Sequence, residues 1–567
     1  MALRADGLSL WEPESEGPGL REITLAQLLD EQAATFADRP ALVFDEFSVR
    51  WTYADLKARA DRLARGLHAW DVGFGDRVAV LSPNCPEWVL IEYALARLGA
   101  VMVTVNPGYH ERELAYLLDQ GDVTALITVD GYRGFDIAAA LTDLMPDLAG
   151  RGTATGQRED ATRFPALRRI GTFAGSGMAG AIPLDGITAL SERCDETAFE
   201  ANCAKVSAGD IAQIQYTSGT TGSPKGAMLR HRGIVNNARL MATRAGFTEE
   251  DVMVSAMPFF HTAGCVCNVI GMHSVGGCLV GMSAFDAARM LELIGAHRGT
   301  IINAVPTMLV RMLEEPTLTE GRVDVSSLRI AFTGGTTIQP ELMREVRDRM
   351  GGEPMIIMGM TECSPIITQT SPDDPYELRL STAGVPLPHT GIRVVDPETG
   401  ETVPVGEPGE LMIRGYLVTA GYYDMPDKTA ESLGPDGWFH SGDLAVLSET
   451  GHLRIVGRIK DMIIRGGENI YPAEIEAFLV TLPDVSDAQV VGVPDRDMGE
   501  EICAVIVAKP GKAISTDAIQ AACRAELARH KMPKYILTAT SYPMTANGKV
   551  QKFELRKIAM AELGLTE

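Results

Sequence analysis

The sequence predicts an α/β protein: a large N-terminal domain of βαβ-type sheets with a small β-barrel subdomain, followed by a smaller α+β C-terminal domain. Three observations predict it. Short apolar runs alternate with amphipathic helical patterns from residue 22 onward, the signature of βαβ units and a parallel sheet. Four apolar runs end abruptly at Pro, Gly-Gly or Met-Thr-Glu. From about Gly384 the texture changes to short alternating strands separated by turns, and a βαββ-like pattern begins after Arg458. The expected boundaries are residues 1–458 for the N-terminal domain, with the barrel at about 384–456, and 459–567 for the C-terminal domain.

In chain order, Leu25, Leu28, Leu29 and Ala33 share one face at helical spacing. Val49-Arg50-Trp51-Thr52-Tyr53 is strand-like, and Thr52 with Asp55 resembles a capping box that starts a helix. Leu56, Ala60, Leu63 and Leu67 follow as its apolar face. Strands are expected at 76–81 and 101–105, with a helix at 87–98 between them. Residues 146–180, rich in Gly, Ala, Arg and Thr, show little periodicity and read as a long surface excursion. The strands ending at Pro258, Pro306, Gly334-Gly335 and Glu362 could converge on one crevice, because open α/β sheets bind ligands beyond the carboxyl ends of their strands. The C-terminal pattern predicts helices at 472–482 and 515–530 and strands at 487–493 and 502–509.

A chain of 567 residues exceeds what one core supports. Its composition, 46% hydrophobic and 22% charged, is ordinary for a globular protein. A net charge of −24 argues against nucleic acid as a partner, which needs a basic face. No apolar run is long enough to span a membrane, and the start lacks a secretory h-region. Nine scattered cysteines suggest reduced thiols and a cytoplasmic setting. Cys265 and Cys267 form C-x-C near His261, a poor match to structural zinc spacing.

The densest chemistry lies in Tyr216-Thr217-Ser218-Gly219-Thr220-Thr221-Gly222-Ser223-Pro224-Lys225-Gly226. Glycines allow close backbone approach, and hydroxyls, exposed N–H groups and a lysine can surround phosphate oxygens. A polar surface loop is the plainer alternative. The common P-loop places Ser or Thr after its lysine to hold magnesium; here Gly226 follows Lys225, so a metal ligand must come from elsewhere. Glu362, directly after an apolar strand, is either that ligand or an exposed loop residue. Phe259 and His261 at a strand end suit a pocket wall, but the residues alone favour a core corner with a satisfied histidine.

Together with Met360-Thr361-Glu362, Ser441-Gly442-Asp443, Gly457-Arg458-Ile459-Lys460-Asp461, Arg465 to Pro472 and Asn547-Gly548-Lys549, the loop resembles the adenylate-forming (AMP-binding) acyl-CoA synthetases. The motifs occur in order and span nearly the whole chain. The runs Arg465 to Glu474 and Met498 to Cys503 resemble the medium-chain fatty acyl-CoA synthetase subgroup in particular.

The resemblance implies ATP-dependent ligation of a carboxylic acid to coenzyme A through an acyl-adenylate, with ATP, Mg2+ and CoA as cofactor and co-substrates. Thr217, Ser218, Gly219, Thr220, Thr221, Gly222 and Lys225 would hold phosphates. Gly334, Gly335 and Met358 would line the nucleotide site. Thr361 would meet the α-phosphate, Glu362 the magnesium, Asp443 the ribose hydroxyls, and Arg458 ribose or phosphate. Lys549 would stabilise charge developing at the α-phosphate. Lys460 would be the hinge about which a mobile C-terminal domain turns, presenting Gly466, Gly467 and Glu468 to CoA.

One departure is Met358, where many relatives carry an aromatic residue that stacks on adenine. The acyl pocket implied is lined by Phe259, His261, Val305, Thr307, Gly334 and Met358. Neighbouring methionines suit a medium-chain or other apolar acid, although a methionine stripe is more often core. An adenylation enzyme serving a separate carrier protein, and a non-catalytic nucleotide-binding module, are the alternatives. The sequence leaves room for a homodimer.

Overall fold

The computed structural model describes residues 7–13, 18–146, 163–173, 178, 180–217, 224–335, 338–466, 468–544 and 550–565. It is a mixed α/β structure that divides into two compact units. The larger comprises residues 12–391 and 413–439; the smaller comprises 1–11, 392–412 and 440–567.

The larger unit holds a nine-stranded sheet, a seven-stranded sheet and a two-stranded ribbon of Gly131–Tyr132 and Phe135–Asp136. In the nine-stranded sheet, Cys278–Gly281, Val252–Ser255, Ile301–Asn303, Ile330–Gly334 and Glu353–Gly359 run side by side and parallel. Four of these are the apolar strands whose ends the sequence suggested would converge, and they are consecutive neighbours. Both faces of a parallel sheet are covered, so such strands read as continuous apolar runs. Ile301, Ile302, Ala331, Phe332 and Met355 are accordingly buried.

The seven-stranded sheet runs Ile182–Pro183, Arg169–Thr172, Ala125–Thr128, Arg77–Leu81, Val101–Val105, Ile211–Thr217 and Lys225–Arg230. All its pairings are parallel except the last, in which Ile211–Thr217 and Lys225–Arg230 form an antiparallel hairpin. Within the expected surface excursion over 146–180, of which 147–162, 174–177 and 179 lie outside the described residues, Arg169–Thr172 is instead a buried strand. Four buried residues suffice to pair with Ala125–Thr128, but they are too few to show a period.

Local rules account for the helix starts. Thr52 and Asp55 form the expected capping box, each side chain accepting from the other's backbone N–H at 3.1 Å. Leu56, Ala60, Leu63 and Leu67 of the ensuing helix Tyr53–Ala69 are buried. Helix Leu25–Thr35 starts the same way from Thr24 and Gln27, and buries Leu25, Leu28, Leu29 and Ala33.

The smaller unit contains most of a five-stranded sheet ordered Leu10–Trp11, Thr390–Val395, Pro408–Gly415, Phe439–Leu447 and Leu453–Arg458. Its second sheet joins Glu468–Ile470, Ile463–Arg465, Gly499–Ala508 and Val485–Asp495, with Tyr535–Ala539 pairing parallel to Gly499–Ala508. Helices Pro472–Leu479, Thr516–Glu526 and Lys552–Leu563 complete it. No helix among the described residues is long and apolar enough to cross a membrane.

Candidate active site

The hairpin of the seven-stranded sheet presents the glycine- and hydroxyl-rich loop. Ser218, Gly219, Thr220, Thr221 and Gly222 lie outside the described residues, but both stems are defined. Thr217 pairs with Lys225 in register, and its hydroxyl lies 3.4 Å from the Lys225 carbonyl oxygen. Gly226 is required for packing, because a Cβ there would sit 2.8 Å from Ile214 Cγ2. The Tyr116 hydroxyl donates to the Pro224 carbonyl at 2.9 Å, and the Tyr216 hydroxyl donates to Gln120 Oε1.

Beneath the leading strand runs a polar chain that the sequence did not reveal. Gln215 Nε2 donates to Gln213 Oε1 at 2.8 Å and lies 3.2 Å from Cys265 Sγ. Gln213 Nε2 donates to Glu92 Oε1 at 2.7 Å. Glu92 sits on helix Pro86–Leu98 and is buried. Burial pushes its pKa up to about 8, the Gln213 hydrogen bond pulling weakly the other way. A carboxyl this deep is held neutral because its charged form would be desolvated.

Glu362 follows strand Glu353–Gly359 in the short 3₁₀ turn Thr361–Cys363. Thr361 and Glu362 are 9% and 7% exposed, which removes the solvated-loop alternative for Glu362. The Tyr422 hydroxyl donates to Glu362 Oε1 at 3.0 Å, and the Thr419 N–H donates to the Glu362 carbonyl at 2.7 Å. Burial, reinforced by Glu362, raises Tyr422 far above the usual tyrosine range, so its hydroxyl keeps its proton and donates. The Lys225 ammonium stands 4.8 Å from the centroid of the Tyr422 ring. The carboxylate of Glu362 is a hard oxygen donor of the kind Mg2+ prefers, so this residue fits the ion.

Gly334 ends strand Ile330–Gly334, where a Cβ would meet the Ile357 carbonyl oxygen at 2.3 Å; Gly335 has φ of +83°. Only glycine fits the first position without moving the next strand, and the second lies in the left-handed region. Met358 is buried in that next strand, paired with Thr368.

The acyl-wall candidates divide. Phe259 is sealed in the core, its ring 5.6 Å from Trp88 and 6.1 Å from Phe44. His261 is half-buried, and its Nδ1 accepts from the Ala263 N–H at 3.2 Å. Val305 is half-buried at the start of helix Pro306–Glu314, and Thr307 is exposed. Met253 and Met355 are core residues.

In the smaller unit, Asp443 and Arg458 are cross-strand partners, with Arg458 Nε 3.1 Å from Asp443 Oδ1. Asp443 is positioned by its neighbours: its N–H donates to Ser441 Oγ at 3.0 Å, and the Gly442 N–H donates to Glu410 Oε1 at 3.1 Å. Lys460 is exposed in the turn Ile459–Asp461. Gly466 has φ of +59° and donates its N–H to the Met498 carbonyl at 2.8 Å. Glu468 lies 3.6 Å from His530 Nε2. Gly467 and Lys549 lie outside the described residues.

Residues 29–423 match the model of the AMP-binding enzyme family, and residues 474–549 match that of the AMP-binding enzyme C-terminal domain. The chain belongs to the AMP-binding enzyme family. Within it, the chain groups with acyl-CoA synthetases and is a ligase. YngI of Bacillus subtilis (strain 168) is 41% identical over 535 residues, covering 94% of this chain and 96% of YngI. The mitochondrial medium-chain acyl-CoA ligase ACSF2 of Mus musculus is 37% identical over 541 residues, covering 94% of this chain and 87% of ACSF2. The crystal structure of ATP-bound MatB from Rhodopseudomonas palustris superposes with a TM-score of 0.81 at 30% identity, over 94% of this chain and 99% of that one.

Proposed function

We propose that this chain ligates an apolar carboxylic acid, a medium-chain fatty acid foremost, to coenzyme A through an acyl-adenylate, releasing AMP and pyrophosphate. The observation that carries the reading is the joining of Lys225, beside the phosphate loop, to the buried carboxylate of Glu362 through Tyr422. A cation and a hard carboxylate from separate strand ends are what a magnesium-bound polyphosphate requires. The name of ACSF2 supports the medium-chain acid.

In this reading a substrate carboxylate oxygen attacks the α-phosphorus of ATP, and the bond to the bridging oxygen of pyrophosphate breaks. The CoA sulfur then attacks the acyl carbonyl carbon, AMP leaves, and the thiol proton passes to solvent. Thr217, Ser218, Gly219, Thr220, Thr221, Gly222 and Lys225 bind the outer phosphates, and Thr361 meets the α-phosphate. Glu362 holds Mg2+, which when bound neutralises phosphate charge. Gly334, Gly335 and Met358 line the nucleotide, Asp443 binds the ribose, and Arg458 steadies Asp443 or a phosphate. Lys549 stabilises the charge that grows at the α-phosphate. Lys460 is the hinge of a C-terminal domain spanning 459–567, which offers Gly466, Gly467 and Glu468 to CoA. His261, Val305, Thr307, Phe259 and Met358 form or back the acyl wall. We place the enzyme in the cytoplasm.

The test is a panel of acids varying in chain length and ring content, incubated with ATP and Mg2+, with and without CoA. AMP formed with acid and CoA, best with medium-chain acids, is the expected result. Activation of acetate or polar amino acids alone would overturn the apolar acid. Adenylate formed without CoA turnover would point to a carrier protein, and no AMP under any condition to a non-catalytic nucleotide binder.

A further inference from the structure

The segment Thr419–Tyr423 belongs to no motif that the sequence singled out, yet it is attached to both halves of the phosphate site. It lies antiparallel beside the strand leaving the phosphate loop. The Ala420 N–H donates to the Met228 carbonyl at 2.9 Å, the Met228 N–H to the Gly421 carbonyl at 3.0 Å, and the Tyr423 N–H to the Gly226 carbonyl at 2.8 Å. The same segment holds Glu362 twice, through the Thr419 N–H and the Tyr422 hydroxyl.

The segment is itself built to hold its shape. The Tyr422 N–H donates to Thr429 Oγ1 at 2.9 Å, and Thr419 Oγ1 lies 2.8 Å from the Met228 carbonyl oxygen. Gly421 has φ of +122°, and a Cβ there would come within 2.6 Å of Thr429. Tyr422 is 5% exposed. Its ring face serves the Lys225 ammonium, and its hydroxyl, at the ring edge, serves the Glu362 carboxylate.

We propose that Tyr422 is a positioning residue that couples the phosphate loop to the metal site, setting Glu362 for Mg2+ through its hydroxyl and Lys225 for the phosphates through its ring. The inference rests on Glu362 being the Mg2+ carboxylate, as in the proposed function. A single side chain then tunes two charges separately. The hydrogen bond to the carboxylate is charge-assisted and buried, the class worth most in proteins. The ring contact is a cation–π pair between a buried tyrosine and a half-buried lysine.

The test is calorimetric binding of ATP to the full-length protein, with Mg2+ and with EDTA, for wild type, Tyr422→Phe and Tyr422→Leu. The ratio of the two affinities isolates the metal contribution. Tyr422→Phe removes only the hydroxyl, so the ratio should fall by about tenfold while binding in EDTA is unchanged. Tyr422→Leu should lower the ratio and also weaken binding in EDTA, because the ring is gone. In a Glu362→Gln background, Tyr422→Phe should change the ratio no further, since the two act through one bond.

An unchanged ratio in Tyr422→Phe, or equal weakening with and without metal, would overturn the proposal; the second result would leave Tyr422 a mere brace of the loop. Should Tyr422→Phe not fold, replacement of Tyr422 by 3-fluorotyrosine keeps the shape and alters the hydroxyl's acidity; a shifted ratio supports the coupling and an unshifted one refutes it. Wild type that binds ATP equally with and without Mg2+ and forms no AMP would remove the proposed function itself. Wild type that is active, with an unaltered Tyr422→Phe ratio, removes the coupling alone.

Discussion

Glu92→Gln should make the protein less sensitive to rising pH. Glu92 Oε1 accepts from Gln213, while Oε2 is buried with no hydrogen-bond partner among the described residues. The native carboxyl holds its proton up to a pH of about 8, whereas the ordinary glutamate value is 4.5. Between those values the folded chain binds a proton that the unfolded chain has lost, so stability falls as pH rises through the window. It is fully present below about 4.5, and the loss levels off above about 8. Each unit of gap corresponds to about 1.4 kcal/mol, so the penalty at pH 7 is on the order of 3 kcal/mol.

Glutamine matches the shape of a protonated glutamate and cannot ionise. The midpoint of thermal unfolding, followed for both proteins from pH 5 to pH 9, therefore carries the prediction in its difference, because all other titrating groups cancel. The advantage of Glu92→Gln should grow from pH 5 to pH 8 and then stay constant. A difference that is flat across the whole range would refute the neutral buried carboxyl.

Two further outcomes concern single residues. Lys549→Ala should abolish adenylate formation from acid and ATP but largely spare thioester formation from supplied acyl-adenylate, measured as separate half-reactions; equal loss in both would remove Lys549 from the first step. Phe259→Ala should cost about 3–5 kcal/mol of stability, the usual range for a buried aromatic, because its ring is enclosed by Trp88 and Phe44. A fall in unfolding midpoint with unchanged ranking of acids marks Phe259 as core, whereas a changed ranking at constant stability marks it as a wall of the acyl site.

Much of this organisation is local and was legible in residue order. Thr52 and Asp55 announce a helix because a capping box needs only four consecutive residues. The strands ending near Pro258, Ala304, Gly334 and Gly359 declare themselves because a strand covered on both faces must be apolar throughout. The candidate phosphate loop and the motifs around Glu362, Asp443 and Lys549 stood out because the chemistry proposed for them needs particular residue types in close succession.

Other features depend on partners far away in the chain, which no local pattern encodes. Arg169–Thr172 becomes a strand by lying beside Ala125–Thr128. Leu10–Trp11 joins a sheet with Thr390–Val395. Lys225–Arg230 is a strand because it folds back on Ile211–Thr217, although it carries too few apolar residues to show alternation.

The site divides along the same line. By itself, the sequence determined the family and singled out the candidates for a phosphate loop and a metal carboxylate. Tertiary structure decided that Glu362 is buried rather than solvated, that Phe259 is sealed against Trp88, and that Glu92 is held neutral. It also brought Tyr422 onto Glu362, sixty residues earlier in the chain. Burial and long-range hydrogen bonding are properties of the packed chain: a tyrosine or glutamate has the same local neighbours whether it faces water or a buried charge, and only the fold chooses between them.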